Sequence, residues 1–550
     1  MGKKVFWGEV LVVSILLLCT SMTATGQSPD ESNEQQGTII SSSALDIAYI
    51  YNLTATLSNI VFTCYNESAG EIAKGRAFGT KGEHAAADIL FDNMSLLGLH
   101  PVRERLEQRP GIPDDDLLTQ LEVVNYSVTL NGRALDCFMA PSWKGPRGDE
   151  EQLNCSFSYQ GLKVKILPSF PCLYHPSIAK ETDDFVFLGI DQWNDPDGVM
   201  PGLDLLKPFL DPLKFYMLFH ISSLIQIQRQ TAAWYRMYPH CKGLLLSDFN
   251  AECHDMIYFL KDGTSLPVVF ITGNDGAWIR EHQEESRIDF SLTQQLNTSV
   301  ESYNVIGEIK GSEPEKTVIL SCLYDGWWSQ STADSAIGMA MVLGVAKYFV
   351  ENHIQPKYTL KFVGFSGEEY DMRGAKYYEA AHPESIVAII DLNQLGFTQE
   401  TPRLTLDLVA NHYRFLQQVW NVVEPMDYVE RTGNVTDIKP IWWASGTIPG
   451  NALAFAEARP RCNAMSIFKD GGWVLHHRDG KNHTEGDVLS YFNWTDVEVT
   501  TELVTNLTIS IVQGEFDAVD GLSESSLHLI DEHWSQERHV LVSRIIDLFI

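Results

Sequence analysis

The chain has 550 residues and a formal net charge of −32, with an isoelectric point near 4.8. That length exceeds what one hydrophobic core organises, so two or more domains are expected. So acidic a chain excludes nucleic acid and anionic membrane surfaces as partners, since both are polyanions.

Residues 1–26 carry Lys3 and Lys4, an apolar run over 10–19, and Ala24, Thr25 and Gly26. A basic start, a short apolar middle and a small-x-small site make a secretory signal, so export is expected. Left uncleaved, the same run becomes a membrane anchor. Residues 27–43, rich in Ser, Glu and Gln, read as a disordered leader. No later segment reads as a membrane span. Export permits disulfides, and Cys137–Cys155 and Cys241–Cys253 are spaced for local pairs, though spacing does not fix pairing. Cys322 falls in a predicted buried strand and reads as a core thiol. Sequons at Asn52, Asn66, Asn125, Asn154, Asn297, Asn434 and Asn506 also fit export.

Residues 44–63 have helical periodicity, and the stretch 75–82, GRAFGTKG, is a tight glycine loop. The helix predicted over 83–97 places Ala86, Leu90, Met94 and Leu97 on one face and stops at Gly98, which reads as a core helix. Between 121 and 300 come short strands at 122–130, 163–168, 184–190, 243–246 and 267–272, with a helical apolar stretch over 204–234.

The next region organises the rest. Apolar runs at 317–323, 359–365 and 386–392 alternate with helical-period segments. Parallel strands need helical crossovers, so this is a parallel sheet flanked by helices. Asp325 follows the first run, Asp334 opens the predicted helix 335–350, Glu368 and Glu369 follow the second run, and Asp391 and Asn393 close the third. Strand carboxyl ends share one rim in such a sheet, and ligands bind there. Singly, Asp334 is an ordinary helix cap and the glutamates an ordinary solvated turn. Together, converging carboxylates require a cation or a shared proton.

Beyond 396 come a strand at 404–409, a helix at 413–423, a loop-rich segment to His483 and a closing helix at 497–512. Trp327, Trp328, Trp442, Trp443 and Trp473 are candidates for a pocket wall, although core packing is the commoner fate of tryptophan. His476 and His477 read as solvated loop residues. The tail 517–550 is acidic, then apolar, and its amphipathic turns 540–550 suit docking on the body or on a second subunit.

Six segments in order resemble the zinc aminopeptidase family of vacuolar aminopeptidase Y, glutamate carboxypeptidase and the transferrin receptor ectodomain. They are NVIGEIKG at 304–311, LYDG at 323–326, DSAIG at 334–338, FSGEE at 365–369, DLNQLG at 391–396 and HTEGD at 483–487. The glycine loop at 75–82 is a further match, and the resemblance runs from about Ala44 to Gln513. It implies a phosphorylase/hydrolase-like sandwich, a mixed, mostly parallel α/β sheet flanked by helices. It also implies a mostly β protease-associated insert, enlarged here, at 121–300. The divisions are then a signal at 1–26, a leader at 27–43, peptidase parts at 44–120 and 301–513, and an appendage at 514–550.

By resemblance, Asp334, Glu369 and His483 hold one zinc and Glu368 is the general base. Leu323 and Asn393 stand where the family has a histidine and an aspartate for a first zinc. Leucine cannot ligate and an amide is a poor zinc ligand, so one zinc is expected. Asp325 and Asn393 are left as doubtful second-metal or supporting groups. A glycan on Asn482 would crowd His483, so that sequon is expected to stay unmodified. Three readings follow: a secreted zinc aminopeptidase acting on peptides, a glutaminyl-cyclase-like single-zinc enzyme, and a metal-deficient binding or receptor module.

Overall fold

The computed structural model describes residues 21–23, 44–63, 72–106, 120–139, 142–143, 155–166, 182–190, 240–247, 252–254, 267–297, 300–370, 372–396, 404–432, 435–443, 448–470, 483–492 and 494–516. Several expectations lie outside them: the signal and leader apart from 21–23, the sequons Asn66, Asn154 and Asn434, the stretch 204–234, Trp473, His476, His477, Asn482 and the tail 517–550. The side chains of Cys155, Asn297, Trp442 and Trp443 also lie outside.

A nine-stranded mixed sheet carries the acidic rim, in the order Ser21–Thr23, Val435–Trp443, Leu404–Ala410, Asn463–Asp470, Ser385–Leu392, Glu313–Leu323, Tyr358–Phe365, Tyr303–Ile309 and Val102–Arg105. Its central strands pair in parallel: Glu313–Leu323 lies between Tyr358–Phe365 and Ser385–Leu392, which in turn pairs with Asn463–Asp470. Antiparallel pairings flank them, with Tyr303–Ile309 on one side and the Leu404–Ala410/Asn463–Asp470 pair on the other. Both faces of the central strands are covered, so they read as continuous apolar runs rather than alternating ones. The segment expected to be loop-rich up to His483 instead supplies the strands Val435–Trp443 and Asn463–Asp470 and the helix Ala452–Ala458.

The helix Ile337–Glu351 packs on one face of this sheet in a single core with Ile47–Ser58, Lys81–Leu96 and Trp494–Val512. The stretch Thr332–Glu351 has the length and apolarity of a membrane span, which corrects the sequence reading. Its residues are mostly buried inside the core, which accounts for that apolarity without a membrane. The far face of the sheet is closed by Arg373–Ala381 and Ala452–Ala458.

A second nine-stranded sheet, from Gln120–Leu130 to Arg287–Asn297, occupies the middle of the chain. Its strands Phe185–Ile190, Cys241–Ser247 and Val268–Ile271 are buried on both sides, and their alternation sorts two cores. Val186, Leu188, Leu245, Val269 and Ile271 face the sheet's own core. Phe185, Phe187, Leu244, Leu246, Val268 and Phe270 face a shared cluster with Phe78, Trp327, Trp328, Tyr370 and Tyr377 from around the first sheet. This face sets the second sheet against the rim where the acidic residues gather.

Cys241 is a buried thiol whose Sγ donates to the Gly243 carbonyl at 3.4 Å, so the expected Cys241–Cys253 bridge is not formed. Cys322 is the buried thiol expected, 3.7 Å from the Ser335 carbonyl. Asn52 and Asn125 are exposed, whereas Asn506 is buried in the Trp494–Val512 helix and presents no accessible sequon.

Candidate metal centre

Asp334, Glu369 and His483 arrive from three loops at strand ends. The sequence places Asp334 at the start of a helix, but the helix begins at Ile337. Asp334 sits in a wide turn, Thr332–Ala336, with φ −117° and ψ 68°. The cause is Asp487: its carboxylate accepts the Ala333 N–H at 2.9 Å and the Asp334 N–H at 3.4 Å. With its backbone held that way, Asp334 is not a cap, and its own carboxylate meets the His483 ring, Oδ2 to Nε2 2.8 Å.

Glu369 Oε1 lies 3.8 Å from His483 Nε2. One ligating atom from each of Asp334, Glu369 and His483 fits within a mutual 4.8 Å. His483 takes a left-handed backbone (φ 62°), a conformation that costs a non-glycine residue energy and recurs at functional sites. Trp327 meets the His483 ring edge-on, centroids 5.3 Å apart, and so limits where the imidazole can turn.

The donor set suits zinc. Two carboxylates and one imidazole are hard-to-borderline ligands of the kind zinc takes with three protein groups and an open position. Glu369 Oε1 is buried and has no hydrogen-bond partner. Burial, then the neighbouring Asp334 and Glu368 charges, hold the Glu369 carboxyl well above the ordinary carboxylate range. A buried cation removes that conflict.

Glu368 is equally crowded. Burial and the charges of Asp334, Asp325 and Asp391 push its carboxyl well up. Its backbone N–H donates to Asp325 Oδ1 at 3.2 Å, and the Asn393 amide donates to Glu368 Oε1 at 3.2 Å. Asp325 therefore holds the backbone beneath Glu368, and Asn393 holds its side chain. Leu323 is fully buried in the main apolar core.

Asp391, expected at the same rim, instead lies inside its strand, with Ser321 Oγ at 2.7 Å and the Asn451 N–H at 2.7 Å. Its carboxyl is pushed up to about 7 by burial, against the pull of those donors. It is a buried structural group tying two strand ends to the Asn451 loop.

Three contributors escape sequence reasoning. Arg76 is completely buried and donates to the carbonyls of Leu57, Tyr324, Gln330 and Ser331. Burial lowers its guanidinium to about 10, with Asp487, Asp325 and Asp334 working against that fall. It thereby fixes the loop that leads into Asp334. Its neighbour Gly75 (φ +132°) lies so close to this loop that a Cβ would stand 2.2 Å from the Trp327 carbonyl. Asp487, its carboxyl pushed up to about 7 by burial, joins the Asp334 and His483 loops. From the second sheet's side, His254 donates its backbone N–H to Glu485 at 3.3 Å and its ring lies 3.5 Å from the same carboxylate. The motif spacing marks Asp487, and the RAFGTKG stretch marks Arg76, but nothing local marks His254. Of the candidate pocket walls, Trp327 reaches His483, while Trp328 packs against Phe138 of the second sheet at 5.4 Å.

Residues 304–508 match the model of Peptidase family M28. Carboxypeptidase Q of Xenopus laevis is 25% identical over 208 residues, 36% of this chain and 43% of that protein, so the match spans less than half of the curated relative. A zinc aminopeptidase from Bacillus subtilis superposes with a TM-score of 0.56 at 16% identity, over 86% of this chain and 98% of its own. A Peptidase M28 precursor from Shewanella amazonensis SB2B gives 0.58 at 15% identity, over 86% and 96%. At such identities the structures bear out the fold. The resemblance to zinc metallopeptidases read from the sequence holds, carried by the family match.

Proposed function

We propose that this chain is an exported zinc exopeptidase that removes N-terminal residues from peptides with one metal ion. The observation that carries this reading is the meeting of Asp334, Glu369 and His483 beside the half-buried Glu368. The family match supports a zinc peptidase, and the signal-like first 26 residues support export. The second sheet, facing the rim, suits the cover that a protease-associated insert would provide.

Asp334, Glu369 and His483 would hold the zinc. Zinc bound there supplies a Lewis acid and lowers the pKa of water. Glu368, held by Asn393 and by Asp325, takes the proton of the attacking water and returns it to the leaving amine. Trp327, edge-on to the His483 ring, would restrict bulk water beside that transfer.

Peptides with free and with acetylated N-termini, incubated with the secreted protein and followed by mass spectrometry, test this. Stepwise shortening from the free end is expected, lost on chelation and restored by zinc. Glu368→Gln should lower the rate about 10²- to 10⁴-fold while zinc stays bound. Loss of 17 Da from N-terminal glutamine without shortening would replace this reading with the cyclase reading. No turnover by zinc-loaded protein would replace it with the binding-module reading.

A further inference from the structure

We infer that the flank of Glu368 formed by Asp325 and Asn393 binds the substrate's N-terminal ammonium, taking the place where the resemblance puts a first metal. The inference rests on the peptidase reading and adds to it the group that selects a free N-terminus.

Two buried acceptors are left over on this flank. Asp325 spends Oδ1 on the Glu368 N–H at 3.2 Å, and its Oδ2 is buried without a hydrogen-bond partner. Asn393 spends its nitrogen on Glu368 Oε1 at 3.2 Å, and its Oδ1 is likewise buried without one. Asp391 is not part of this surplus, because Ser321 and Asn451 occupy both of its oxygens. Buried acceptors are rarely left so, and each costs the free energy of a lost hydrogen bond.

The unmet partner must be a donor and should be a cation. Asp325, Asp334, Glu368 and Glu369 crowd one buried region, and one zinc offsets only part of their charge. Arg76, the guanidinium beside them, has four of its five N–H groups committed to carbonyls. A second zinc is poorly served, since Leu323 offers no ligand and Asn393 only a neutral amide. A primary ammonium has three donors on one small charged centre, and it suits two spare oxygens beside a carboxylate. The space is confined as well: a Cβ on Gly450 would lie 2.9 Å from Asn393 Nδ2, so that backbone closes in beside the amide. A single nitrogen fits such a place better than a bulky side chain.

The probe is L-leucinol, a primary amine with no bond to hydrolyse, compared with N-acetyl-L-leucinol by calorimetry on the zinc-loaded chain. The amine should bind about 10- to 100-fold more tightly, the worth of one or two charge-assisted hydrogen bonds. Asp325→Asn and Asn393→Leu should each shrink that ratio with zinc content unchanged. Two variants are used because Asp325 also supports the backbone of Glu368, and thermal unfolding reports whether either has lost its fold. Equal binding of the two probes, no binding of either, or a ratio unchanged in both folded variants would overturn the inference. Those results leave zinc content and peptide cleavage intact, whereas failure of the peptidase reading shows in cleavage itself.

Discussion

The two flanks of Glu368 are built from the same strand ends and differ in what they can hold. On one side Asp334, Glu369 and His483 bring two carboxylates and an imidazole within 4.8 Å. On the other, Leu323 is core and Asn393 donates a hydrogen bond to Glu368 at 3.2 Å. The first flank is held open by supports that do not themselves ligate, Asp487 beneath Ala333 and Asp334 and Arg76 beneath the preceding loop. Around the second, the frame persists, with Asp325 and Asp391 still buried and charged groups still converging. The difference teaches that two side chains, Leu323 and Asn393, are enough to make one flank poor in metal ligands beside another that is rich in them.

The largest effect should come from removing the Asp334 carboxylate from the ligand-rich flank. Asp334→Ala is expected to abolish tight zinc binding and to lower peptide cleavage by roughly three orders of magnitude or more, because the metal's chemistry goes with it. Elemental analysis of the dialysed variant beside a cleavage assay checks this.

The comparison sharpens if the altered flank is rebuilt. Leu323→His with Asn393→Asp supplies the two missing ligand types, and zinc content should rise from one to two per chain. The histidine enters a fully buried apolar position, so a lower thermal midpoint should accompany the gain. A content that stays at one would locate the barrier in the backbone rather than in ligand chemistry.

A smaller change tests the supports. Asp487→Asn replaces an acceptor oxygen by a donor opposite the Ala333 and Asp334 N–H groups. Chemical denaturation should show a loss of about 1–3 kcal/mol, the penalty of a buried group left unsatisfied, and zinc should be held more weakly.

The smallest is a pH effect from a buried carboxyl that holds no metal. Glu83 is fully buried, accepts from the Ser302 hydroxyl and the Gly79 N–H, and its carboxyl is pushed up to about 7 by burial. The folded state therefore binds this proton more tightly than the unfolded chain, whose glutamates titrate near about 4.3. The contribution is fully present below about 4, is lost as pH rises toward 7, and is flat above. Glu83→Gln should remove that slope, so its thermal midpoint should gain on the parent between pH 5 and pH 7.

Much of the catalytic region is legible in the sequence for a physical reason. Strands buried on both faces must be apolar throughout, so 317–323, 359–365 and 386–392 stand out, and glycine and acidic residues at their ends mark the rim. The strand Val435–Trp443 is harder to see because Asp437, Lys439 and Pro440 interrupt its apolar pattern. In the middle of the chain, the strands Phe185–Ile190, Cys241–Ser247 and Val268–Ile271 serve two cores at once, and local periodicity cannot say that one of them belongs to the catalytic region. Within the site, the residue types that ligate are visible from motif order. The residues that aim them are not: Arg76 acts on Ser331 across 255 positions, and His254 meets Glu485 across 231. The turn at Asp334 is likewise imposed from Asp487, 153 positions away.

The most direct test of the account is the metal content of the purified wild-type chain, measured by elemental analysis after dialysis from excess zinc. One tightly held zinc per chain is the result the account predicts. Two would contradict it, by showing that the flank of Leu323 and Asn393 still takes a metal, and none would contradict it by emptying the retained flank as well.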